Sequence, residues 1–213
     1  IMNKLSILFA SLLLSVTTVI SQDEVAKQIL DKLSEQGKEY SDITAEFSFN
    51  FSNTTQGIDE NSEGKIWIKG EMYKLDISSD LSIINNGKTL WYVMKDVPEV
   101  QIMDNDPEDE MNPSKIFTIY ESGYKYEYNG AESVEGKRMH SINLYPNESG
   151  TISKVVLIID AEKTELSVIQ LHDKDGGVTT YTITKFTSNS SLTDDTFKFT
   201  ISDYPDIEVI DLR

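Results

Sequence analysis

A mainly β chain with a few helices is predicted by three features of the sequence. Two consecutive hairpins are written into residues 64–92, the later β-rich runs follow one another without crossover helices, and one amphipathic helical pattern stands near the N-terminus. About ten or eleven strands are expected, in a strongly curved antiparallel sheet or barrel of a size that can hold a small apolar ligand.

The 213 residues suit one domain with a real core. Met2-Asn3-Lys4 and the apolar run 5–20 have the form of a signal peptide, with Val19-Ile20-Ser21 at the cleavage positions. Residues 1–21 are therefore expected to be removed, leaving 22–213 as a single domain exported to the periplasm. Ser11, Ser15, Thr17 and Thr18 interrupt the run, which is also shorter than the ~20 residues of a membrane span. With no cysteine, the chain has neither disulfides nor a lipidated N-terminal thiol, so burial must supply its stability.

In residues 23–36, Val25, Ala26, Ile29, Leu30 and Leu33 fall at helical spacing, and Gly37 is placed to end the helix. Ile29 and Leu33 of this helix are candidate lid residues, with ordinary packing on the sheet as the competing role. Residues 44–51 alternate strictly, with Ala45, Phe47, Phe49 and Phe51 on one face, and the polar residues 54–62 read as a loop. In the first hairpin Gly70-Glu71 fits a two-residue turn, pairing Ile68 with Tyr73 and Ile66 with Leu75. Ile66, Ile68, Tyr73, Leu75 and Ile77 then share one face, with Trp67, Lys65 and Lys74 on the other. Asn86-Gly87 predicts the second hairpin, placing Ile83 opposite Leu90 and Leu81 opposite Tyr92, with Ile84, Trp91 and Val93 behind.

A strand at 100–103 leads to the acidic stretch 104–110. Asp104, Asp106 and Glu108 alternate, but the stretch contains Pro107 and lacks the glycine and terminal Glu of a calcium loop, so it reads as solvated. Asn112-Pro113 caps a short apolar helix over 113–120 bearing Ile116, Phe117 and Ile119, either a plug or part of a movable lid. Strands follow at 124–128, 140–145, 152–160, 165–172, 179–186 and 197–201, with turns at Asn129-Gly130 and 173–177.

The formal charge of −17, without a basic cluster, argues against nucleic acid and anionic membrane, and suits a monomer or a protein docking onto basic partners. His140 and His172 stand alone, and the nucleophile elbow, phosphate loop, dinucleotide fingerprint and zinc motifs are missing. No catalytic residue, metal ligand or cofactor is expected. What stands out is apolar strand surface with few helices to cover it. If the sheet curls round a cavity, Phe47, Phe49, Ile66, Ile68, Tyr73, Leu75, Ile77, Leu90 and Tyr92 are its candidate lining; a dry, filled core is the competing arrangement.

The blocks Gly64-Lys65-Ile66-Trp67-Ile68-Lys69 and Asn86-Gly87-Lys88-Thr89-Leu90-Trp91-Tyr92, preceded by Ala45-Glu46-Phe47 and followed by Phe197-Lys198-Phe199, resemble the periplasmic lipoprotein carrier family LolA. The ending Glu208-Val209-Ile210-Asp211-Leu212-Arg213 is similar to the form found in Bacteroidetes-type bacteria. The resemblance implies an unclosed antiparallel barrel capped by short helices, which binds lipoprotein acyl chains in an apolar interior. It also implies partners: an inner-membrane ATP-driven release transporter and an outer-membrane receptor. A related barrel binding another lipid or hydrophobic metabolite, or sensing mislocalised lipoproteins, is the alternative. Family members carry an Arg-Pro turn whose arginine bonds to the lid; Gly70-Glu71 stands in that place, so that latch does not carry over.

Overall fold

The computed structural model describes residues 21–106, 112–121 and 123–213. The expected signal peptide, apart from Ser21, and residues 107–111 of the acidic stretch lie outside the described residues. The chain forms helix α1 (Gln22–Glu39) and strands β1 (Ile43–Asn53), β2 (Ile58–Lys69), β3 (Met72–Ile77), β4 (Leu81–Asn85), β5 (Thr89–Met94) and β6 (Glu99–Asp104). After a segment of 3-10 turns come β7 (Tyr124–Val134), β8 (Lys137–Pro146), β9 (Ile152–Asp160), β10 (Glu165–Asp173), β11 (Gly177–Ser188) and β12 (Glu208–Asp211).

All twelve strands join one sheet in the order β12-β6-β5-β4-β3-β2-β1-β11-β10-β9-β8-β7, which does not close on itself. Neighbours are antiparallel except β12, which lies parallel to β6. The open barrel architecture expected from the sequence is present, with twelve strands in place of ten or eleven.

Local chemistry explains the register. The pairs Ile68–Tyr73, Trp67–Lys74 and Ile66–Leu75 follow from the Gly70-Glu71 turn, where Gly70 adopts φ +58°. The second hairpin is paired two residues away from expectation, with Ile83 opposite Tyr92 and Leu81 opposite Met94. The cause is side-chain capping: Asn86 Oδ1 accepts from the N–H groups of Lys88 and Thr89, at 3.0 and 2.9 Å, so Gly87-Lys88 forms the tip. A slip of two preserves parity, so each side chain keeps its predicted face.

Four boundaries depart from the sequence reading. Residues 58–63 are strand, because their backbone pairs with β1 although their side chains are polar. Helix α1 runs through Gly37 to Glu39, for a reason given below. β7 passes Asn129-Gly130 as a bulge and turns instead at Glu135-Gly136, both with positive φ. Residues 197–201 are not a strand; a 3-10 turn (Asp194–Phe197) buries Phe197 completely. Phe199 then stacks between Trp91 and Tyr204, at centroid distances of 6.1 and 5.4 Å, covering the outer face of the second hairpin.

Candidate functional site

The inner face of the sheet is filled unevenly. Under α1, the side chains of Ala26, Leu30 and Leu33 meet Ile142, Leu144, Val155, Leu157, Ile159 and Leu166 in a dry core. A second, smaller cluster gathers Ile43, Ile68 and Tyr73, with Ile66, Leu75, Ile83, Leu90 and Phe186 against it. Between them lies an apolar cavity of about 160 Å³. Its walls come from β1–β3 (Ile43, Ala45, Phe47, Ile66, Ile68, Leu75) and from β10–β11, and its cover from Asn112, Pro113, Ile116, Phe117 and Ile119.

Of the sequence-predicted lining, Phe47, Ile66, Ile68 and Leu75 border this cavity. Tyr73 and Leu90 sit in the second cluster, and Phe49 leans on Tyr181 with ring centroids 5.5 Å apart. Ile77 and Tyr92 are half-buried outside the lining. Of the lid candidates, Ile116, Phe117 and Ile119 face the cavity, whereas Leu33 is sealed in the first core and Ile29 packs against it. The cover is two 3-10 turns (Pro113–Lys115 and Ile119–Glu121) rather than the expected continuous helix, and Asn112 Oδ1 accepts from Ser114 N–H as its N-cap.

Sequence reasoning missed the wall from Leu166, Ile169, Leu171, Tyr181, Ile183 and Phe186. Two bulges hide it. Between Leu166 and Val168 the register shifts against β9, so Leu166 and Ile169 face the same way although three residues apart. Opposite Glu46 and Phe47 an extra residue in β11 does the same for Ile183 and Phe186. The aromatic and β-branched content of 181–186 was the available signal.

Phe117 is the keystone of the cover. An added Cβ on Gly37 would stand 2.7 Å from its Cβ and Cγ, so glycine is required in the last turn of α1 for the ring to press against the helix. The ring also meets Tyr40 edge-on, at 6.2 Å, and contacts both core clusters. Polar contacts hold the far end: Glu121 Oε1 accepts from Lys38 Nζ and Ser34 Oγ, both at 2.6 Å, and the Tyr120 hydroxyl donates to Asp31 at 3.1 Å. The Lys38 ammonium, then the Ser34 hydroxyl, holds the Glu121 carboxyl below its ordinary range. Burial, then the Asp31 carboxylate, pushes Tyr120 up to about 12. The cover is thus latched to α1, not to the Gly70-Glu71 turn.

A second, polar pocket of about 240 Å³ adjoins the cavity through shared walls at Ile43, Ile68 and Phe117. Residues of the α1 end and the turn after it (Gly37, Lys38, Tyr40, Ser41, Asp42), with Gly70, Ser114 and Thr118, complete it. Burial pushes the Asp42 carboxyl up, but the Ser41 hydroxyl and the backbone N–H groups of Ser190, Leu192 and Ser191 outweigh it and keep it ionised. Among the described residues no cluster of His, Asp or Glu is placed to hold a metal ion, and no helix is long and apolar enough to cross a membrane.

The fold has solved counterparts. An uncharacterized conserved protein from Thermus thermophilus superposes with a TM-score of 0.59 at 11% identity, over 88% of this chain and 99% of that one. A DUF1329 family protein from Desulfovibrio piger superposes with a TM-score of 0.50 at 11% identity, over 86% and 99%. No curated protein sequence matches the chain. Residues 38–200, which run from the end of α1 through every wall and the cover of the cavity, match the family described as outer membrane lipoprotein carrier protein LolA, and the chain belongs to that family.

Proposed function

We propose that the protein is a periplasmic carrier that shields the acyl chains of a lipoprotein during transfer from inner to outer membrane, without catalysing a reaction. The observation that carries this reading is the apolar cavity roofed by residues 112–121 and latched to α1 by exposed polar contacts. Each methylene moved from water into that interior contributes roughly 0.8 kcal/mol, enough for one long chain to hold a cargo in solution. At about 160 Å³ the cavity is close in size to an engineered cavity that takes a benzene ring, about 150 Å³, so lifting the cover makes the room a full chain needs. The closed cover competes with cargo and lowers net affinity, which a carrier needs in order to release.

Phe47, Ile66, Ile68 and Leu75 on one wall, with Ile116, Phe117 and Ile119 in the cover, are the residues proposed to touch the chain. An inner-membrane release transporter as donor and an outer-membrane receptor as acceptor complete the cycle. Protein isolated from the periplasm and mixed with lipoprotein-bearing membranes is expected to form a soluble complex in which the lipoprotein resists sedimentation. Mass spectrometry of that complex showing only free lipid or pigment, or no lipoprotein in the soluble fraction, rejects lipoprotein carriage.

A further inference from the structure

Resting on the carrier reading, we propose that the polar pocket is a headgroup subsite that selects acyl compounds whose head is uncharged and donates hydrogen bonds, such as a glyceryl hydroxyl or an amide N–H. Ile43, Ile68 and Phe117 border both spaces, so the polar one lies beside the apolar one, where the head of an amphiphile falls once Phe117 moves with the cover.

The selectivity follows from where the protons are. The Ser41 hydroxyl donates to Asp42 Oδ2 at 2.9 Å or to Asn189 Oδ1 at 3.1 Å. The Ser114 hydroxyl donates to Asn112 Oδ1 at 2.8 Å, and the Thr118 hydroxyl to the Lys115 carbonyl at 3.2 Å. Each hydroxyl has one proton, so all three turn lone pairs toward an occupant and accept rather than donate.

Neither charged group in the pocket is left open: Lys38 is paired, and Asp42, held by neutral donors alone, has its oxygens engaged. Lys38 pairs with Glu121 at 2.6 Å, which leaves no uncompensated cation for a phosphate or carboxylate head. Asp42 spends Oδ1 on Ser190 N–H, and Oδ2 on Ser41 and the N–H groups of Ser191 and Leu192, so an ammonium head finds no open carboxylate. The Tyr40 hydroxyl, which accepts from Gln36 Nε2, has one proton left to offer; set against three accepting hydroxyls, it leaves the balance with neutral heads that donate. A head that only accepts would leave these oxygens desolvated and unpaired, which costs more than the hydrogen bonds themselves yield.

The test is displacement of the apolar dye 1-aminoanthracene from the purified protein by monomeric methyl palmitate, 1-monopalmitoylglycerol and palmitate. Monopalmitoylglycerol is expected to displace at about tenfold lower concentration than methyl palmitate, the yield of one or two hydrogen bonds, and palmitate to be weaker than the glyceryl ester. The double substitution Ser114→Ala with Thr118→Val is expected to erase the advantage of the glyceryl ester while leaving methyl palmitate and the unfolding midpoint unchanged. Ser41→Ala, from a different segment, is expected to reduce the same ratio. Equal displacement by the two esters, or palmitate matching the glyceryl ester, overturns the subsite and leaves acyl binding standing. Displacement by none of the three overturns both.

Discussion

Beneath α1, the inner face of β7–β9 packs fully against Leu30 and Leu33 through Ile142 and Leu157, whereas the inner face of β1–β3, β10 and β11 keeps a cavity. Both halves present β-branched and aromatic side chains. They differ in what covers them. An 18-residue helix brings Ala26, Leu30 and Leu33 to the first half, while the second receives only Ile116, Phe117 and Ile119 from a short segment that holds two 3-10 turns. A long helix fills a sheet; a short segment with few backbone hydrogen bonds roofs it and can leave at low cost.

Truncation should separate the halves most strongly. Leu157→Ala, at a fully buried site, is expected to cost about 2–5 kcal/mol in chemical denaturation, because little can collapse into the void. Ile66→Ala, bordering space that already exists, should cost about 2 kcal/mol or less, at or below the low end of such series. Equal losses would break the distinction. Enlargement should invert it. Ile142→Phe overpacks the filled half by about 1–3 kcal/mol. Ile66→Phe grows into the cavity, with stability within about 1 kcal/mol of the parent but uptake of an apolar dye strongly reduced.

A smaller effect is expected at the contact between helix and cover. In Gly37→Ala, the helix gains about 1 kcal/mol of propensity while the new methyl pushes Phe117 away, so global stability should change little. Hydrogen exchange at the Thr118 amide, bonded to the Lys115 carbonyl at 2.9 Å, should accelerate as the cover loosens. Unchanged exchange would show that Phe117 is not the keystone.

The smallest effect concerns the latch. The Glu121 carboxyl is held below its ordinary value of 4.5, so its contribution to closure is fully present above that value and fades as pH falls through the depressed one. Dye uptake should therefore speed up as pH falls below 4.5 and through the depressed value, and Glu121→Gln should remove most of that acceleration; both partners are partly exposed, so salt should weaken the effect. A flat pH response would place the latch elsewhere.

The turn residues made the strands legible: Gly70 and Gly87 fix two hairpins, and Asp173 Oδ1 closes a third by accepting from Asp175 and Gly177. What escaped the sequence reading did so where a local pattern was overruled by a distant partner. The polar residues 58–63 are a strand only because β1 lies beside them, and Gly37 stays helical because Phe117 needs its bare face. Half of the candidate site was visible because β2 and β3 keep strict alternation. The other half, on β10 and β11, was hidden because each bulge flips parity once and period two then points to the wrong face. The polar pocket could not be foreseen at all, since it joins residues near 40, 70 and 116 that no periodicity links.

The sheet ends at β7 on one side and β12 on the other, with no ladder joining them. In a closed barrel, strand number and stagger fix the girth, and a bulkier guest can enter only by breaking rungs. Here the two margins are free to part, so the interior can widen by a change of twist while every rung stays intact. One polypeptide could then fit apolar guests of differing girth, with the seam acting as the adjustable dimension.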